Sequence, residues 1–212
     1  SLEGADSLRT LADLERSWEQ GLRALGPAHY GKGRYALGHD QDGPLSEQGR
    51  ELLREMDRLG LILDATHLCD QTFWQSLDLF QGPVWASHHN CRALVDDPRQ
   101  LADEQIKALA ERGAVIGLAF DVWMVVPGWE RGVTTHEDKP EANLEALADH
   151  LDHYCQLLGT SANVGIGSDL DGGYGSEQTP AGLDFISDLR DFRAILERRG
   201  YGHDDLEGIF HK

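Results

Sequence analysis

The stretch "LILDATHLCDQTFWQSLDLFQGPVWASH", Leu61 to His88, decides the fold. "LILDAT" is a short apolar run of strand length, and it ends in polar residues from Asp64 to His67. "DQTFWQSLDLF" then has the apolar spacing of a helix, with Asp70 in position to cap its N-terminus. "PVWASH" is a second strand, and Ser87 to His89 fall at its C-terminal end. The same alternation extends to both sides. "GLRALG" (Gly21 to Gly26) reads as a strand and is followed by a Gly-rich loop through Gly43. "PLSEQGRELLREMDRLG" reads as a helix, with Pro44 near its start and Gly60 as its stop. Downstream come the helix "ADEQIKALAERG", the strand "AVIGLAF", the helix "PEANLEALADHLDHYCQLLG", the strand "NVGIGSD" and the helix "GLDFISDLRDFRAILERRG". Five strand–helix units in series predict a parallel sheet.

A parallel sheet can be doubly wound or closed into a barrel, and the polar residues choose between them. His29, Asp64 to His67, Ser87 to His89, Phe120 to Asp121 and Ser168 to Asp171 all follow the C-terminal ends of predicted strands. A barrel gathers all its strand ends into one ring, whereas a doubly wound sheet offers only the crevice at its switch point. No GxGxxG fingerprint is present. The expected fold is therefore a TIM-type (β/α)8 barrel. Five units do not close such a barrel, so residues 1–212 are expected to be the C-terminal part of a single barrel domain. The first strands would lie upstream, on roughly 100 or more further residues. The loop from Tyr30 to Gly43 is long for an α/β connection, and long loops are often functional.

Composition excludes several function classes. With 40% hydrophobic and 26% charged residues the chain is an ordinary globular sequence. A net charge of −18 argues against nucleic acid, whose binding depends on cations displacing counterions from phosphate. No basic amphipathic stretch or membrane-length apolar run appears. The three cysteines, Cys69, Cys91 and Cys155, lack metal or disulfide spacing and fit a reducing, cytoplasmic setting.

A lone histidine in an α/β protein is more often a hydrogen-bonded structural group than a ligand. His136, His150, His153, His203 and His211 fall in loops or on helix faces and need no role, and His39 sits in a Gly/Asp-rich loop. His67 and His88 differ, because they end consecutive strands and so become neighbours on a barrel rim. Two strand-end histidines and a strand-end carboxylate form a zinc-type donor set.

The stretches "LEGADS", "LILDATHLCDQTFW", "PVWASHHNCRALVDDPRQLADEQIKALAERGAVIGLAF" and "VGIGSDLDG" closely resemble the membrane (renal) dipeptidase family. The resemblance runs through essentially the whole chain. It implies a binuclear zinc peptidase of the amidohydrolase-type barrel, hydrolysing dipeptides through a metal-bridging hydroxide. Glu3, in "EG", matches the carboxylate bridging two zinc ions. His67, in "DATH", and His88, in "ASH", match further ligands, with His89 as the neighbouring alternative to His88. His29, in "AHYG", is similar to the substrate-binding histidine beside the scissile carbonyl. Arg99, in "DDPRQL", matches the arginine for the substrate's terminal carboxylate, placed to reach over the site mouth. Asp169, in "GSDLDG", matches the catalytic aspartate. Arg92 and Asp171 also have family counterparts, for which a structural role is the expectation. The first zinc also requires a His-x-Asp pair from the first barrel strand, and no such pair stands upstream of Glu3. Ala28 stands where relatives commonly have Thr. The implied partner is a small dipeptide, with neither nucleic acid nor membrane, and a homodimer is the assembly admitted. Two alternatives keep the barrel: an amidohydrolase acting on another small amide, lactam or biosynthetic peptide intermediate, or a degenerate member that binds metal without turnover.

Overall fold

The computed structural model describes residues 1–170 and 172–211, so Asp171 lies outside the described residues. By its contacts the chain divides into two compact units, Ser1–Ser87 with Glu111–Ala114, and His88–Ala110 with Val115–Lys212. The strand–helix alternation with parallel pairing is that of a TIM-type barrel, and the described residues supply six of its strands rather than the five expected. The additional one is the two-residue strand that carries Glu3, too short to show any periodicity in sequence.

The first unit begins with β1 (Leu2–Glu3), α1 (Leu11–Glu19) and β2 (Ala24–Gly26). It continues with α2 (Glu47–Leu59), β3 (Ile62–Asp64) and α3 (Asp70–Leu79), and ends in β4 (Val84–His89), whose last two residues open the second unit. The four strands pair in chain order and all parallel, through Leu2↔Leu25, Leu25↔Leu63 and Leu63↔Val84. β2 starts at Ala24 rather than Gly21, because Gly21 has φ 110° and Leu22 still donates to the Ser17 carbonyl of the α1 terminus. Asp70 is the first residue of α3, not its cap; the N-cap is Cys69, held extended by donating to the Leu37 carbonyl.

α2 fixes the long loop before it. Leu52, Leu53 and Met56 lie on one helical face and are fully buried. Ser46 caps the helix by accepting from the Gly49 amide at 2.9 Å, and its hydroxyl donates to the Tyr35 carbonyl at 2.8 Å. Gly49 is required here, since a Cβ would stand 2.1 Å from the Tyr35 carbonyl oxygen.

The second unit contains α4 (Asp103–Glu111), β5 (Ile116–Leu118), α5 (Leu144–Leu158), β6 (Val164–Ile166), α6 (Leu189–Arg198) and α7 (His203–His211). β5 and β6 are parallel, through Ile116↔Val164 and Leu118↔Ile166. Leu147, Leu151 and Tyr154 of α5 and Phe192 and Leu196 of α6 are all inaccessible to solvent. α6 begins seven residues later than the spacing after Gly182 predicts. Gly182 has φ 92°, and the Asp188 carboxylate accepts from the Asp184 and Phe185 amides, which closes a turn first. Among the described residues no helix is long and apolar enough to cross a membrane.

His150 is the buried polar centre of the second unit. Its Nδ1 accepts from the Cys91 amide at 3.1 Å, and its Nε2–H donates to the Val125 carbonyl at 3.0 Å, so the ring is neutral. Burial lowers its pKa from the ordinary 6.5 to about 4. Between those values the unfolded chain binds a proton that the folded one does not, so stability falls as the pH drops. The expected slope from this group is up to about 1.4 kcal/mol per pH unit. Urea unfolding from pH 7 to pH 4 should show this loss in the wild type and a shallower dependence in His150→Asn. Gly49→Ala gives a second test with a decisive sign. In an exposed helix the change stabilises by about 1 kcal/mol. Here it should destabilise by roughly 1–3 kcal/mol, because a backbone carbonyl occupies the space.

Candidate metal and catalytic site

One carboxylate organises the ends of β3 and β4. Asp64 is buried, and its Oδ1 accepts from the Thr66 amide and from the Ser87 amide, both at 3.1 Å. The Thr66 and Ser87 hydroxyls add a contact of 3.2 Å between the same two strand ends. The backbone then turns sharply, and His67 takes a left-handed conformation with φ 67°. A non-glycine residue holds that conformation only when its surroundings impose it, and such residues concentrate at functional sites.

The turn aims the two nitrogens of His67 in different directions. Nε2 lies 2.9 Å from Glu3 Oε1, at the end of β1. Nδ1 lies 3.2 Å from Nδ1 of His39. The ring of His29 stands edge-on to that of His67, with centroids 4.4 Å apart, and its side chain is open to solvent. β4 carries His88 to its own C-terminal end. One ligand atom from each of Glu3, His67 and His88 lies within 4.8 Å of the others. Two imidazoles and a carboxylate at that spacing suit a borderline metal ion such as zinc.

Within the second unit, His88 Nε2 stands 4.0 Å from Asp169 Oδ2. Asp169 follows β6 and also has positive φ, 58°, so the segments after β3 and after β6 each store backbone strain. Arg99 does not stand over an open mouth. It is 1% exposed, and its guanidinium donates to the His88 carbonyl at 3.0 Å and meets His89 Nδ1 at 3.2 Å. Tyr154 donates to the next carbonyl, that of His89, at 3.0 Å. His89 therefore points into this buried network, while His88 belongs to the ligand group. Arg92 binds the Gln100 and Pro98 carbonyls, which is the structural role expected of it. Asp121, after β5, accepts from Trp123 at 2.9 Å and from Arg131, and burial raises its pKa against the pull of Arg131.

His39 is the residue that sequence reasoning passed over. Its loop is stitched to the segment after β3, through a bridge between Gly38 and Leu68 and the Cys69 amide on the Leu37 carbonyl. Nothing in the local sequence marks His39. The only signal was the length of the loop.

A model of the membrane dipeptidase family (peptidase family M19) matches residues 1–212. The chain belongs to this family. Among curated relatives, the dipeptidase tcpJ of Claviceps purpurea is 30% identical over 99% of this chain and 48% of its own length. Dipeptidase 3 of Rattus norvegicus is 28% identical over 98% of this chain and 41% of its own. The chain spans about half the length of the first of these curated relatives. A metallopeptidase from Rhodobacter sphaeroides, solved with a phosphinate mimic of the dipeptide L-Ala-D-Ala, superposes with a TM-score of 0.85 at 27% identity, covering 99% of this chain and 59% of that one. A solved metallopeptidase of the M19 family, dipeptidase AC, gives a TM-score of 0.81 at 28% identity, covering 99% and 61%.

Asp64 offers a direct test of how the site is positioned. Asp64→Ala leaves the amides of buried Thr66 and half-buried Ser87 without their acceptor, the first expected to cost about 1–3 kcal/mol and the second less, whereas Asp64→Asn keeps the accepting oxygen. Denaturant unfolding should rank wild type above Asn and Asn well above Ala. Equal losses in the two variants would show that the carboxylate's charge, not its acceptor geometry, holds the strand ends.

Proposed function

We propose that this chain carries the larger part of a zinc dipeptidase site, which hydrolyses the peptide bond of a small dipeptide. The observation that supports the reading best is the convergence of Glu3, His67 and His88 in a member of the M19 family. A bound zinc would supply a Lewis acid and lower the pKa of an attacking water. A carboxylate has two oxygens, so Glu3 could serve two ions at once, and His67 and His88 would ligate as neutral imidazoles. The His29 ring, exposed beside His67, would donate a hydrogen bond to the oxygen of the scissile carbonyl as charge develops there. Asp169 Oδ2, beside His88, would take the proton of the attacking water and return it to the leaving amine. Arg99 enters the proposal as the cation for the substrate's free carboxylate, its guanidinium standing at the end of β4 on the His88 carbonyl. The dipeptide mimic bound by the Rhodobacter sphaeroides metallopeptidase favours this substrate class over another small amide.

The test separates ligand from proton carrier. Glu3→Gln should lose bound zinc, read by elemental analysis, together with dipeptide hydrolysis. Asp169→Asn should keep its metal while kcat falls by about 10² to 10⁴, the range for a lost acid–base group. Loss of zinc in Asp169→Asn would make that residue a ligand and overturn the assignment. Full metal content in Glu3→Gln would remove the proposed centre.

A further inference from the structure

We infer that His39 is a positioning residue for the metal centre: its Nδ1 accepts the Nδ1–H of His67 and so selects the tautomer that leaves His67 Nε2 bare toward Glu3. This rests on the metal reading above. The two Nδ1 atoms are 3.2 Å apart and both rings are buried, so one nitrogen carries the shared proton and the other accepts it. On the opposite side of the ring, His67 Nε2 is 2.9 Å from Glu3. An imidazole that ligates through Nε2 must keep its proton on Nδ1, and ligating histidines almost always give that proton to an acceptor which fixes their orientation. His39 occupies the accepting position and would carry its own proton on Nε2.

The surroundings hold His39 for this task. Tyr30 stands edge-on to the His39 ring at 4.6 Å and to His29 at 4.8 Å. The Asp40 carboxylate accepts from the Gly31 amide at 2.6 Å, and Gly38 donates to the Gly31 carbonyl at 2.8 Å. Together with the Gly38–Leu68 bridge, these bonds make the loop an ordered clasp on the left-handed turn at His67.

Two substitutions separate the accepting nitrogen from the packed ring. His39→Phe keeps an aromatic ring against Tyr30 and removes the acceptor. His39→Asn loses the ring but places an accepting oxygen near the position of Nδ1. Zinc affinity would be measured in the full chain by competition with a chromophoric chelator, with Glu3→Gln in parallel and the thermal midpoint of each metal-free variant as the folding control. His39→Phe should weaken zinc binding roughly 10- to 100-fold, the usual cost of a lost orienting partner. His39→Asn should recover most of that loss, and its cobalt-substituted form should keep the wild-type visible bands while those of His39→Phe shift. Wild-type affinity in His39→Phe, or an equal loss in both variants, would overturn the inference. If Glu3→Gln also binds zinc as tightly as wild type, the metal reading itself fails. If Glu3→Gln loses zinc while His39→Phe does not, only the role of His39 is lost.

Discussion

The Asp64 carboxylate is the constraint on which the candidate site depends. A parallel strand leaves backbone groups without partners once its pairing stops, and just past the end of β3 such a group is the Thr66 amide. A single buried oxygen that accepts from Thr66 and from Ser87 sets the level of the β3 end against β4, which runs on to His89. Everything downstream inherits that level: the left-handed turn at His67, the approach of its Nε2 to Glu3 and the height of His88 on its strand. One acid thus satisfies two backbone donors, one from each strand.

β4 is also held from its far side. Arg99 and Tyr154 take the carbonyls of His88 and His89, two consecutive residues whose side chains have different duties. A fully buried guanidinium is a rigid planar donor, well suited to fixing a backbone. Its burial shows why an argument from loop position alone misplaced it. Eleven residues beyond His88 could have led outward as easily as inward, and only packing against α5 decides.

The parallel α/β architecture was legible because each strand is apolar and each helix has a 3.6-residue face, as at Leu52, Leu53 and Met56. Glu3, His67 and His88 were legible because strand-end polar residues in such a fold converge. The gaps have physical causes. β1 has two residues, too few for a pattern, and the start of α6 is set by Asp188 closing a turn that the apolar spacing does not record. His39 acts through a contact 28 residues away in sequence, made by a loop whose composition suggests only flexibility.

That loop's stitching bears on how the protein can change. Long, Gly-rich surface connections usually absorb insertions and deletions freely, since added length costs little entropy. Between Gly31 and Cys69 the chain is closed by paired amides and by a helix whose Gly49 lies against the Tyr35 carbonyl, so neither end can slide. An added residue on the Gly31–Asp40 side would shift His39 away from His67, whereas one between Asp40 and Gly43 falls beyond these anchors. Length variation in this segment is thus confined to a few positions. A graft or tag placed there would be tolerated at one end of the loop and would disable the site at the other.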